Sequence, residues 1–256
     1  MVSSRLSPHD KHETLLRLEA AGFDHRAAER IIRSEGNALA IKMVALAKNG
    51  SFEPTTSQQS ARKIMGNNFF GVEELVRHFE IGPSKEQLLA LAEVPFTLAE
   101  LEESRYTHYL MASLPFSVID IRAKADARLF YKKGLRYEDQ TFATDKGKTG
   151  WHLVRMTAVA GSTSQSWPKQ QAILPQNERT PSFRVMVGTI IGYHLTAGGR
   201  LFKDTCVRTS SVDSSGKKHI YVGRFDDSGL RVYSAEDDFS SQGIGIGAEL
   251  IPSAKP

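Results

Sequence analysis

Apolar positions recur at helical spacing through the first half of the chain, and in its last third the period drops toward two. Ser7 can cap a helix that has Pro8 at its first position, with Leu15, Leu16 and Leu18 on one side before Gly22 ends it. Asp24 can cap a second helix carrying Ala27, Ala28, Ile31 and Ile32, stopped by Gly36-Asn37. A third is expected from Ala38 to Lys48, closed by Asn49-Gly50. Residues 1–50 therefore read as a small three-helix module, and the polar stretch SFEPTTSQQS at 51–60 as a linker.

Residues 61–127 read as a helical region. Ser84 with Gln87 and Thr97 with Glu100 form capping boxes where the apolar pattern resumes. The most apolar run, YLMASLPFSVIDI from Tyr109 to Ile121, contains Pro115 and is expected to form two short elements. In residues 128–256 the pattern changes. WHLVRM at 151–156 predicts a strand, and Ser166 can cap a short helix around Lys169 to Leu174. SFRVMVGTIIGYHLTAGG predicts a helix ending at Gly198-Gly199, with strand as the alternative because of its β-branched content. Four strands follow: TCVRTSS, HIYVGRF, LRVYSAE and IGIGAEL. Asp226-Asp227-Ser228-Gly229 joins the second to the third, with Gly229 placed for a positive φ. Alternation puts Ile220 and Val222 opposite Tyr221 and Gly223, and Leu230, Val232 and Ser234 opposite Arg231, Tyr233 and Ala235. The fold class is α+β, a helical N-terminal region followed by a mixed domain with a mainly antiparallel sheet.

Composition narrows the function classes. The 256 residues suit about two domains, and the net charge of +4 is weak, its basic excess lying entirely in the C-terminal half. That excess is spread out, without a phosphate-binding stripe, so nucleic acid ranks below protein as a partner. The single cysteine, Cys206, excludes an intrachain disulfide and a CxxC metal site. Neither a signal-peptide core nor a membrane-length apolar run is present, so the expected location is cytoplasmic.

Catalytic signatures are absent. GIGIG at 243–247 opens no helix, no Walker A or GxSxG sequence occurs, and Cys206 falls in an apolar strand pattern as an inert thiol. His78, His108, His152, His194 and His219 stand in no metal-ligand spacing. Glu236-Asp237-Asp238 could bind a hard cation, but reads better as a solvated loop. The expectation is a non-catalytic protein with no metal and no cofactor.

Two resemblances add to this reading. AGFDHRAAERIIRSEGNALAIKMV, with Gly22-Phe23 at the first interhelical loop and Gly36-Asn37 at the second, resembles the ubiquitin-associated type of module and the start of elongation factor Ts. It implies docking of a partner protein at Gly22 and Phe23. Trp151-His152-Leu153, Val207-Arg208-Thr209-Ser210-Ser211 and the end punctuated by Gly243, Gly245 and Gly247 resemble, in that order, the C-type lectin-like fold. The similar form is the disulfide-free one of formylglycine-generating enzymes and of the variable proteins of diversity-generating retroelements, and it covers roughly 128 to 252. A copper-using enzyme of that type needs paired cysteines, which this chain lacks. What the resemblance implies is a recognition surface on late strands and loops, for a protein or other macromolecular ligand. At 224–242 its residues are Arg224, Arg231, Tyr233, Ser234, Glu236, Asp237, Asp238, Phe239, Ser240 and Ser241. The alternatives are a structural or interaction component of a mobile-element assembly, and an enzyme whose site carries no recognised motif.

Overall fold

The computed structural model describes residues 7–34, 39–40, 43–44, 56–132 and 137–253. The chain divides into two compact units, Met1–Phe52 and Glu53–Pro256. In the first, α1 (Pro8–Ala20) begins with a capping box between Ser7 and Asp10, and α2 (His25–Ile32) begins with the Asp24 carboxylate accepting from the Ala27 amide. Gly22 takes the positive φ of 93° that lets the chain turn between them. Of the third expected helix, Leu39–Ala40 and Met43–Val44 are helical, and the rest lies outside the described residues, as do Gly36-Asn37 and the start of the expected linker.

The expected linker is ordered at its far end: Thr56–Ser57 forms β1, and the Ser57 side chain caps α3 (Gln58–Met65). Then follow β2 (Phe69–Phe70), α4 (Val72–Phe79), α5 (Lys85–Ala90), β3 (Glu93–Val94), α6 (Leu98–Ser104), β4 (His108–Ser113) and α7 (Val118–Lys124). Both expected capping boxes are present, at Ser84–Gln87 and Thr97–Glu100. The middle region is nevertheless not simply helical. All six residues of β4 are buried, and a strand covered on both faces gives an apolar run without the alternation that would mark it.

The remaining elements are α8 (Thr141–Thr144), β5 (Gly150–Arg155), α9 (Trp167–Ala172), β6 (Glu178–Arg179), α10 (Phe183–Ala197), β7 (Cys206–Val212), β8 (Lys218–Asp226), β9 (Gly229–Glu236), β10 (Ile244–Ile246) and β11 (Glu249–Leu250). One sheet has the order β2-β4-β5-β11-β6, the other β10-β7-β8-β9, and β1 pairs with β3. Because β4 and β5 are neighbours, the segments before and after residue 128 share a sheet and a core. This is an α+β protein, with its long strands concentrated toward the C-terminal side.

Helix α10 holds the two sheets together. Ser182 caps it, Gly198 ends it at φ 69°, and every residue from Phe183 to Gly192 is buried, as expected of a helix that is apolar all round. It packs on β2, β4 and β5 as well as on β7 and β8. Close approach to the first sheet depends on small residues: a Cβ at Gly188 would lie 3.1 Å from Met111, and one at Gly192 3.3 Å from Phe70.

Cys206 is 2 % exposed, and burial pushes its thiol up to about 11. Since the thiolate is the reacting species, a disulfide reagent should modify Cys206 very slowly until denaturant is added. Native labelling as fast as that of a free thiol would mean that the β7 register is different.

Candidate functional site

The hairpin β8–β9 turns through Asp227-Ser228, with Asp226 paired to Gly229, whose φ is 106°. Carried on unbroken, that register would set Val222 beside Tyr233 and mix apolar with polar faces. A bulge at Arg224-Phe225 prevents this. Arg224 adopts φ 45°, and beyond it Gly223 pairs with Arg231, Tyr221 with Tyr233 and Ile220 with Ser234. Ile220, Val222, Leu230 and Val232 then all enter the core with Phe225, while Tyr221 and Tyr233 stack on the other face at a centroid distance of 5.3 Å.

After β9 the chain crosses the sheet to reach β10, which pairs parallel with β7. Residues 237–243 form that crossing, and buried polar groups hold it from beneath. The Arg208 side chain is fully buried, donates to Gln170 Oε1 at 3.1 Å, and donates to the Phe239 carbonyl. Gln170, itself fully buried, donates to the carbonyls of Ser162 at 2.8 Å and Ile244 at 3.2 Å. From the side, Trp167 N donates to the Asp237 carbonyl at 2.8 Å, and its ring stacks on His219, whose Nδ1 is 2.7 Å from Asp237 Oδ1. Burial pulls the Arg208 guanidinium pKa down, because the charged form sits away from water.

Over this base lies an open groove of about 480 Å³, lined by Lys218, Tyr221, Ser234, Glu236, Asp238, Phe239 and Ser240, with Ala235 on its wall. Five of the residues expected at the recognition surface thus come together: Ser234, Glu236, Asp238, Phe239 and Ser240. The others lie around it. Arg231 turns to Asp226 Oδ2 at 2.8 Å and over the Tyr131 ring, Asp237 faces His219, and Tyr233 backs Tyr221. Exposed Arg224 lies beside Gly243, and the Ser241 carbonyl accepts from Ser164 N at 2.9 Å. Lys218 and Tyr221 belong to the groove and were not expected there. Their signal is the cross-strand register, which only the bulge sets.

No protein-family model, curated protein or solved structure matches this chain. The site is therefore read from its own geometry. Among the described residues no group of three or more His, Cys, Asp or Glu side chains is placed to hold a metal ion, and no helix is long and apolar enough to cross a membrane.

In the first unit, Gly22 closes α1 through a bond from its amide to the Glu19 carbonyl at 2.9 Å, and Phe23 is half-buried. Phe23 forms part of a shallow surface hollow with Ala27, Ile31, Leu39 and Met43, edged by Arg26 and Arg30.

A second polar assembly, unforeseen in the sequence, lies across the five-stranded sheet. The buried Glu249 carboxylate takes His152 Nδ1 at 2.7 Å on one oxygen and Arg179 Nε at 2.7 Å on the other. Burial by itself would raise the Glu249 pKa, but the hydrogen bonds and charges of His152 and Arg179 outweigh it and hold the group below the usual carboxylate range. Glu178 is similar: burial opposes ionisation, while His108 and Arg155 more than offset that, with Arg155 Nε 2.9 Å from both carboxylate oxygens. His108 Nε2, at 3.6 Å from Glu178, acts across a gap wider than a hydrogen bond.

Proposed function

We propose that this protein is a recognition protein that binds a polypeptide ligand in the groove over β8 and β9, in keeping with the display role implied by the lectin-like resemblance. The observation that carries the reading is the anchoring of the 237–243 crossing. A loop that served only to connect strands needs no buried arginine beneath it, whereas Arg208, Gln170 and Trp167 fix this one from below and from the side. Anchoring lowers the entropy cost of binding, because the loop is already in place when the ligand arrives. Phe239 is 46 % exposed above that base, and Tyr221 lines the same groove. Aromatic walls with the acidic rim of Glu236 and Asp238 suit an aromatic or aliphatic side chain flanked by Lys or Arg. The hollow beside Phe23 supports the further proposal that the N-terminal module docks a second protein.

The test is selection from a random peptide library displayed on phage. Basic peptides with an apolar anchor should be enriched on the wild-type chain, and Tyr221→Ser with Phe239→Ser should reduce their binding at least about 30-fold, as loss of an aromatic anchor typically does. Thermal stability should change little for Phe239→Ser, since the ring is exposed. No enrichment, or enrichment that the two changes leave untouched, would remove the groove from consideration.

A further inference from the structure

Ser113, His152 and Glu249 stand in series across β4, β5 and β11, on the sheet face covered by α10. Met111 pairs with His152 and Tyr109 with Val154, which itself pairs with Glu249, so the alternation places these side chains on one face. Ser113 Oγ is 3.2 Å from His152 Nε2, and His152 Nδ1 is 2.7 Å from Glu249 Oε2. An ionised Glu249 accepts the Nδ1 proton, so the neutral ring offers Nε2 as a base toward Ser113. The other acceptors near Ser113 Oγ, the carbonyls of Lys148 and Gly150, are farther away at 3.3 and 3.4 Å. Arg179 fixes the remaining oxygen of Glu249, which orients the carboxylate.

Ser113 also lines an apolar pocket with Phe70, Phe79, Met111 and Leu114, and exposed Lys124 marks its outer side. The cavity volume is only about 30 Å³. Arg184 lines the same pocket, is 7 % exposed, and has a buried Nε with no hydrogen-bond partner. Its guanidinium is covered by Gly147, where a Cβ would come within 2.4 Å of it and where the positive φ of 58° favours glycine. A buried guanidinium without a full set of acceptors is costly, and an oxyanion beside it would relieve that cost.

We propose that Ser113 is a nucleophile for acyl transfer, with His152 as its base, Glu249 as the group that orients His152, and a short-chain acyl ester as substrate, since the cavity leaves no room for a long chain. Ser113 Oγ bonds to the ester carbonyl carbon while its proton passes to His152 Nε2. The carbonyl oxygen becomes an oxyanion next to Arg184. The bond from carbon to the alcohol oxygen then breaks, and the leaving alkoxide takes the proton from Nε2. Water repeats the sequence on the acyl-serine: its proton goes to Nε2 as it attacks, and the carboxylic acid departs as Ser113 Oγ recovers that proton. This activity is independent of the peptide groove, because it uses a different sheet and none of the same residues.

Incubation of the full chain with p-nitrophenyl acetate tests it. A burst of nitrophenol should be followed by slower turnover, and peptide mapping of the acid-quenched protein should show an acetyl group on Ser113. p-Nitrophenyl decanoate should react far more slowly, because its chain exceeds the cavity. Ser113→Ala should lower turnover about 10³-fold or more, and Glu249→Gln should lower kcat more than it raises KM. Circular dichroism confirms that each variant is folded, and Ser113→Thr, which keeps the hydroxyl, serves as a second variant. An acetyl group found only on lysine or on another residue, or turnover unchanged in folded Ser113→Ala, overturns the proposal.

Discussion

Replacing Gly223 by alanine is expected to destabilise the protein by about 3 kcal/mol or more, the sum of a strained backbone and a clash with a neighbouring strand. Gly223 lies at φ 153° at the bulge, and a Cβ built there would meet the Thr205 carbonyl oxygen at 2.2 Å and the Cys206 Cα at 2.7 Å. Both are backbone atoms of the adjoining chain, which cannot swing aside as a side chain would. In a unit of this size that corresponds to a fall in Tm on the order of 10 °C. Gly216 is the matched control, since it has φ 69° and nothing within 4 Å of a Cβ. Gly216→Ala should cost about 1 kcal/mol through its backbone conformation alone. Equal melting temperatures for the two variants would show that β7 and β8 do not approach as closely as the structure has them.

The second large effect is expected at Glu178. Glu178→Gln leaves the Arg155 guanidinium without its carboxylate, at a cost of about 3 kcal/mol, the low end for a broken buried pair because Arg155 keeps some contact with water. The pH dependence has a definite sign. In the folded chain Glu178 and Glu249 both lie below the ordinary value of 4.5 for a glutamate, so on acidification the unfolded chain takes up their protons first. Their contribution is complete above that value and disappears as pH falls through the folded pKa values. Urea midpoints measured against pH should therefore drop steeply on the acid side for the wild type, and less steeply, from a lower plateau, for Glu178→Gln. Parallel curves for the two proteins would mean that Glu178 is not the carboxylate responsible.

Local punctuation made much of the fold legible. Ser7, Asp24, Ser84 and Thr97 all cap helices, Ser166 stands at the start of α9 without a side-chain cap bond, and each of the four late strand candidates holds a strand, because caps and alternation act over a few residues. The strand character of β4 was hidden, since burial on both faces removes the period of two. Likewise the sequence shows Tyr221 and Tyr233 on polar faces, but only the extra residue at Arg224-Phe225 sets them opposite each other. Ser113, His152 and Glu249 come from three strands far apart in the chain, and no local spacing could unite them. The groove was half legible for the same reason: its loop residues are consecutive, while Lys218 and Tyr221 join it by strand pairing.

The short stretch from Ile244 to Leu250 takes part in both sheets, with β10 beside β7 and β11 inserted between β5 and β6. During synthesis, then, neither sheet can be completed until these residues have left the ribosome, long after β4 and β5 are available to pair. Until that moment β6 has no strand to join and residues 237–243 have no far end to span to. Closure is thus a late, long-range step of the kind that slows folding and leaves strand edges open to aggregation. Chaperone dependence in this chain should accordingly be set by its final strands rather than by its helical beginning.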